Sequence, residues 1–498
     1  MARGDHADDV SPVTGETEVI LASNRGPVTF RIDDDGALRG RLGGGGGLVS
    51  ALSAVPAQAN ALWVCAALSE ADRLAARSAP DGRLDLAGHS TGAVPIRMLD
   101  IEPVTFLRAY NGIANSVLWF VHHMLYDTAG IPIFDGRFRR EWSSYVDYNA
   151  SFAEAVAEEA GPNARVIVQD YHLSLAPQLI RERRPDLAIA HFSHTPWAPP
   201  DYFRVLPDDV AVAVLEGLLA ADHVGFLTAR WAQAFLACCE TVLGAKVDLA
   251  QGTVEYAGRR TELGVHPLGI DSDAFRARAD QPDVHARMAA LRTQVGGRRL
   301  ILRVDRTELS KNIVRGLLAY RDLLRRHPEW QGRVMHLAFA YPSRHDLPEY
   351  REYTASVQRV AKEIVDEFGS PDWDPLILAV DDDIARSLAA YRMADVVVVN
   401  PVRDGMNLVA KEVPVVSDHG CALVLSREAG AVAELADAAL VINPFDIEGT
   451  ADALHTALVM TDEERRKRSN RLASAASAHP PSMWLAEQLE ALADLPND

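Results

Sequence analysis

"DVVVVNPVRDGMNLVAKE", residues 395–412, sets an apolar β-branched run against a polar turn and then the start of an amphipathic segment. A strand buried on both faces reads as such a run, and a helix following at once is the repeating unit of a parallel sheet wound with helices. The turn carries Arg403, Asp404, Gly405 and Asn407 where a plain connection would suffice. Ligands of open parallel sheets sit beyond the carboxyl ends of the strands, so this polarity reads as a binding site. The amides of Gly405, Met406, Asn407 and Leu408 are expected to form a helix N-terminus facing an anion, an effect of roughly 0.3–2 kcal/mol. Asp404 does not suit a phosphate but suits hydroxyls, and Glu412, one turn on, suits a ribose diol. A helix cap is the plainer role for Asp404, yet it leaves Arg403, Asn407 and Glu412 unaccounted for.

The same alternation runs outward in both directions. Apolar runs at 18–23, 165–170, 188–194 and 223–228 in the first half, and at 300–305, 335–340, 376–380, 395–400, 422–426 and 438–444 in the second, read as strands separated by helical periodicity such as that of 312–326. Proline and glycine punctuate the chain at 265–275, after the strand-like patch "GTVEYAGRRTEL". The expected architecture is α/β: two Rossmann-like, doubly wound domains facing across a cleft. Residues 1–17 form a flexible leader, 18–268 the first domain and 269–480 the second, and the amphipathic helix within 481–498 packs back on the first. The run "DEERRKRSNR" reads as a solvated helix face.

At 498 residues the chain exceeds what one hydrophobic core organises. A formal charge of −19 argues against nucleic acid and anionic membranes as partners, so an anionic ligand needs a local basic cluster. Four cysteines, two of them adjacent at 238 and 239, fit a reducing cytosol. The first residues lack the apolar core of a signal peptide, and a cytoplasmic location is expected.

Several polar residues fall where strands end. Arg25 follows the first strand in "SNRGPV", Asp170 closes another in "QDYHL", and His194 follows a third in "FSHTPW". Three polar groups on one sheet edge point to a site rather than to scattered structural roles. In "RVDRTELSK" Arg306 and Lys311 offer a planar fork and a point charge, a combination suited to a diphosphate. Arg344 lies just past the next strand in "AYPSR". Five glycines at 43–47 precede an apolar segment and read equally as a phosphate cradle or a hinge. No GxGxxG turn of a dinucleotide enzyme follows a strand.

Together "SNRGPV", "GGLVSAL", "YNGIANSVLWFVHH", "QDYHLSLAP", "HTPW", "HPLGID", "RVDRTELSK", "YPSR", "RDGMNLVAKE", "LSREAGAVAEL" and "VINPFD" resemble, in order and over about residues 18–460, the retaining glycosyltransferases of the GT-B arrangement that make trehalose 6-phosphate. The resemblance implies glucosyl transfer from a nucleoside diphosphate glucose to glucose 6-phosphate, by front-face attack, with neither cofactor nor metal. It implies that Arg306 and Lys311 hold the donor diphosphate with Gly47 and the amides near Leu408 and Val409. Asp404 and the amides beside it would take donor-sugar hydroxyls, and Glu412 the ribose. Arg25, Tyr110, Trp119 and Arg344 would shape the acceptor-phosphate pocket, with Asp170 and His194 at the reaction centre. A homo-oligomer is left open.

The sequence departs from the family pattern at Ala66, Gln169, Glu308, Leu309 and Asn312, where tryptophan, histidine, aspartate, tyrosine and glycine are usual. Asp381, Asp382 and Asp383 follow a strand where the family places the nucleobase. A carboxylate accepts the paired N–H groups of guanine, whereas uracil shows one N–H between two carbonyls, so GDP-glucose is expected with Asp382 as reader. A helix cap is the competing role for these acids. Rival functions are a pseudo-glycosyltransferase joining a nucleotide-activated cyclitol to an amino-cyclitol phosphate, and a non-catalytic sugar-phosphate sensor. The first tends to degrade the 403–412 motif and the second would lose Arg306, Lys311 or Asp404; all are present.

Overall fold

The computed structural model describes residues 17–42, 60–92 and 94–493. Residues 1–16 of the leader and Gly47, with the rest of its glycine run, lie outside the described residues, and Thr17 already belongs to the first strand. In the first half the strands are β1 (Thr17–Ser23), β2 (Val28–Ile32), β3 (Leu38–Leu42), β4 (Ala61–Ala66), β5 (Ile96–Leu99), β6 (Ala160–Gln169), β7 (Ala188–Ser193), β8 (His223–Phe226), β9 (Lys246–Asp248), β10 (Thr253–Tyr256) and β11 (Arg259–Val265). The second half contributes β12 (Arg299–Arg306), β13 (Val334–Tyr341), β14 (Leu376–Ala379), β15 (Val396–Val399), β16 (Ala422–Ser426) and β17 (Leu440–Ile442).

Nine strands form one sheet in the order β5-β4-β1-β6-β7-β8-β11-β10-β9, parallel as far as β11 and then antiparallel. Six form a second, wholly parallel sheet in the order β14-β13-β12-β15-β16-β17. Counted along the chain, the second order is 3-2-1-4-5-6, the doubly wound pattern, and the first sheet repeats it with β5, β4, β1, β6, β7 and β8. Each sheet therefore has one place where the winding reverses, between β1 and β6 and between β12 and β15. Ligand crevices open there by topology alone.

Helices cover both faces for the expected reason. In Ile313–Arg326 the residues Ile313, Leu317, Tyr320 and Leu324 recur at helical spacing, and all are buried. Asp446 caps the helix packed beside it, Ile447–Val459, through the amide of Gly449 at 2.9 Å. The helix Asp462–Ala476 is not the fully solvated face read from its charges: Arg465 is buried and donates to the carbonyl of Gly420 at 3.0 Å. Among the described residues no helix is long and apolar enough to cross a membrane.

The sheets meet at their carboxyl ends. Trp231 Nε1 donates to Gly405 O at 3.0 Å, Arg403 Nη2 donates to Trp197 O at 2.9 Å, and Arg230 pairs with Glu428 at 2.6 Å. A Cβ on Gly405 would collide with the backbone carbonyl of His194, so this contact needs glycine. The helix Pro481–Ala493 lies on β6, β7 and β8 of the first sheet, with Trp484 fully buried 4.9 Å from Phe192 and 5.5 Å from His194, centroid to centroid.

Trp484→Ala would leave a large cavity there. Urea denaturation should show a loss of about 3–5 kcal/mol, and a loss below about 1 kcal/mol would mean that the helix is not part of the core.

Candidate active site

Two clusters stand at the two reversals of winding. The first gathers residues of both sheets around Tyr171 and His172. Trp119 is buried, and the guanidinium of Arg344 lies over its ring at 4.7 Å. Arg344 also donates to Tyr350 Oη at 2.5 Å and to Tyr171 Oη at 3.2 Å. Tyr110 stacks on His172 at 5.6 Å, and Arg25, exposed after β1, acts on the same histidine electrostatically. Asp170 accepts from the amide of His194 at 3.1 Å. Burial pushes its carboxyl up to about 6 against the pull of the His194 and Tyr171 amides and of Arg344. His194 is joined to Gln169 at 2.7 Å, and burial together with His191 pushes its imidazole down to about 3, so it is neutral. The arrangement sets a fixed guanidinium among flat aromatic walls.

The second cluster joins β12 to β15. Lys311 Nζ donates to Asp404 Oδ2 at 2.6 Å, and Asn407 Nδ2 donates to the same oxygen at 3.0 Å. Burial lowers the Lys311 pKa, but Asp404, Glu308 and Asp305 outweigh it and hold it raised. Arg306 is 59% exposed and 3.1 Å from Glu308. Glu412 accepts from Tyr391 Oη at 3.1 Å, and burial pushes its carboxyl up to about 7 against that bond.

The helix after the 403–408 turn is Val409–Val416, with Leu408 as its cap residue. Of the expected N-terminus at 405–408 only Leu408 takes part, as the cap, and the helix starts later because Asn407 takes a left-handed conformation, φ 75°, and its side chain accepts from the Ala410 amide at 3.4 Å. Leu408 and Val409 are at the helix entrance, whereas Gly405 and Met406 use their carbonyls to receive Trp231 and Ala431.

Strain concentrates here. Asp170, Asn312, Arg344 and Asn407 all have positive φ, a costly state that persists where the surroundings enforce it. At Asn312, where the related pattern has glycine, φ is 56°, and its amide donates to Asn400 O at 3.0 Å and Pro444 O at 2.8 Å. Asparagine therefore keeps the left-handed turn and adds a tie across the sheet.

Of the three consecutive acids, Asp383 caps the helix Ile384–Met393 through the Arg386 amide at 2.9 Å and pairs with Arg287 at 2.8 Å. Asp381 and Asp382 stay exposed beyond β14, and Asp382 and Asp383 both act on Tyr341 electrostatically. The cap thus accounts for one acid and leaves two facing solvent.

Two residues were missed from sequence. Glu308, noticed only as a departure, is buried among Arg306, Ser343, Arg344 and Lys311. His123 is buried, hydrogen-bonded through Nδ1 to Trp119 O at 2.8 Å, and within the field of Asp404, Lys311 and Glu308. The "HH" of "LWFVHH" was its only signal. Among the described residues, one group could hold a metal ion, His327, Glu329 and His455, at the far end of the helix that begins after Lys311.

The sequence matches the profile of Glycosyltransferase family 20 over residues 17–494. It is 35% identical over 462 residues to the bifunctional trehalose-6-phosphate synthase/phosphatase of Thermoproteus tenax, covering 90% of this chain and 60% of that one. The chain thus spans about three fifths of that relative's length. It is 33% identical to the UDP-forming alpha,alpha-trehalose-phosphate synthase of Schizosaccharomyces pombe, covering 96% and 92%. The crystal structure of a UDP-forming alpha,alpha-trehalose-phosphate synthase from Burkholderia xenovorans in complex with glucose-6-phosphate superposes with a TM-score of 0.81 at 26% identity, covering 96% of this chain and 100% of that one.

Glu412 gives the site a pH signature. Its folded value, about 7, lies above the ordinary 4.5. The folded state therefore holds the proton through that window: the contribution to stability is complete below pH 4.5 and lost as pH rises through 7. Glu412→Gln should flatten this part of the profile and be more stable than the parent at about pH 8 by up to roughly 3 kcal/mol in chemical denaturation. An unchanged profile would contradict the burial of the carboxyl.

Proposed function

The chain belongs to glycosyltransferase family 20, and from that premise we propose that it transfers a glucosyl group, with retention, from GDP-glucose to glucose 6-phosphate, giving α,α-trehalose 6-phosphate and GDP. The observation that carries this reading is the facing of the two clusters. Arg306, Lys311 and Asp404 stand at one reversal of winding, and Arg344 with its aromatic walls stands at the other. Residues 18–268 then serve mainly the acceptor, with Arg344 reaching in from the second domain, and 269–480 the donor.

In this reading Arg306 and Lys311 stabilise the charge that grows on the departing diphosphate, helped by the amides of Leu408 and Val409. Asp404, already engaged by Lys311 and Asn407 through one oxygen, accepts donor-sugar hydroxyls rather than attacking the anomeric carbon. Glu412, backed by Tyr391, takes the ribose diol. Arg344, Tyr110, Trp119 and Arg25 receive the acceptor phosphate, and Asp170 and His194 align the acceptor hydroxyl. Alignment of two bound substrates is the main source of rate in a front-face reaction within one ion-pair-like complex.

Two named relatives are UDP-forming. The GDP preference proposed for this chain rests on Asp381 and Asp382, which extend past β14 without the capping duty that occupies Asp383. One of these carboxylates can accept both the N1–H and N2–H of guanine, and Asp382 is the assigned reader. The intact Lys311–Asp404 pair speaks against a non-catalytic sensor.

Turnover with GDP-, ADP- and UDP-glucose should rank GDP first, and Asp382→Asn should lower the GDP rate about tenfold while sparing UDP; a clear UDP preference would overturn the base assignment. Asp404→Ala should lower kcat roughly a hundredfold or more with GDP affinity nearly unchanged. A large loss of GDP affinity would show that Asp404 serves the nucleotide instead.

A further inference from the structure

Glu308 is an anion inside a site proposed to hold phosphates, which is an unfavourable place for it unless it does something there. Its side chain is 2% exposed, and among the described residues one oxygen, Oε1, takes its ion-pair and hydrogen-bond contacts. Arg306 Nη1 approaches to 3.1 Å, Arg344 Nη1 to 4.0 Å, and Ser343 Oγ donates at 3.0 Å. Burial pushes the carboxyl up, but Arg306, Arg344, Lys311 and the Ser343 hydroxyl outweigh this and bring it down to about 2, so it is ionised in any working buffer.

The two arginines differ in how they are held. Arg344 is fixed by Tyr350, Tyr171 and the face of Trp119. Arg306 has Glu308 as its one ion-pair partner among the described residues, and its side chain is more than half exposed. Lys311, the third cation, is committed to Asp404. Without the carboxylate, Arg306 would be free to swing toward the fixed guanidinium of Arg344 and close with it on a single phosphate, and bidentate guanidinium–phosphate pairing is strong enough to favour that state. Such a phosphate would occupy both substrate subsites.

We propose that Glu308 is a positioning residue that keeps the two phosphate grips apart, holding Arg306 for the donor diphosphate and leaving Arg344 for the acceptor monoester. The inference rests on the donor and acceptor assignments given above. It requires a carboxylate reaching from the end of β12 to the end of β13, and Ser343 orients it by bonding the oxygen that both arginines approach. The outcome is that the site tolerates two anions side by side and does not bind one of them unproductively.

A role confined to stability predicts weaker binding of everything when Glu308 is replaced. A dividing role predicts a gain. Titration calorimetry with inorganic phosphate should show Glu308→Gln binding about tenfold more tightly than the parent, while its kcat falls and phosphate becomes competitive against both substrates. Glu308→Asp, which retains the charge, should stay within about twofold of the parent in phosphate affinity. Phosphate affinity in Glu308→Gln that is unchanged or weaker would overturn the proposal. Should that variant not fold, Arg306→Gln decides: with Glu308 in place it should change phosphate affinity less than about twofold, and a loss above fivefold would show that the grips are already shared. Absence of glucosyl transfer by the parent would sink the proposed function and leave these titrations readable, whereas normal transfer with no tightening in Glu308→Gln sinks the divider alone.

Discussion

The ion pair between Lys311 and Asp404, 2.6 Å long, closes the crevice between β12 and β15, and the second cluster is set out around it. Its partners are about equally buried, so each would be an uncompensated charge in a poor solvent without the other. Asn407 bonds the same Asp404 oxygen from a left-handed turn, and that turn delays the following helix until Val409. Gly405, the next residue after Asp404, makes the contact with His194 that brings the two sheets together. One short pair thus connects strand ends, helix entrance and the approach of the two halves.

Around it the chain solves a problem set by its own composition. A protein with a net charge of −19 that gathers cations at its strand ends has to keep them from being cancelled by its own carboxylates. Its solution is partial pairing. Lys311 is matched with Asp404, Arg306 with Glu308, and Arg344 is held chiefly by phenols and an aromatic face, which fix a guanidinium without cancelling its charge. The positive φ values at Asp170, Asn312, Arg344 and Asn407 are what this placement costs the backbone.

The second sheet was legible because buried parallel strands read as unbroken apolar runs, and all six of its strands fall where such runs occur. The candidate residues were legible because topology puts ligands at strand ends, where Arg306, Asp404, Asp170 and His194 stand. β4 and β5 were missed: "ALWVCA" registered only as a departure from a pattern, and "IRML" is too short to show a period. The later start of the helix at Val409 depends on the backbone of Asn407, which no residue type dictates. Arg465 was misread because a charged run does not reveal which of its members turns inward. Glu308 was misjudged for a related reason, since a sequence shows a carboxylate beside two cations but not that three strand-end groups close on one of its oxygens.

The most direct test is to incubate the purified protein with GDP-glucose and glucose 6-phosphate and follow the mixture by proton NMR. Formation of GDP together with a non-reducing disaccharide phosphate bearing two α-anomeric protons is the expected result. GDP release with no such disaccharide, or no product with any common glucosyl nucleotide, would contradict glucosyl transfer as the function of this site.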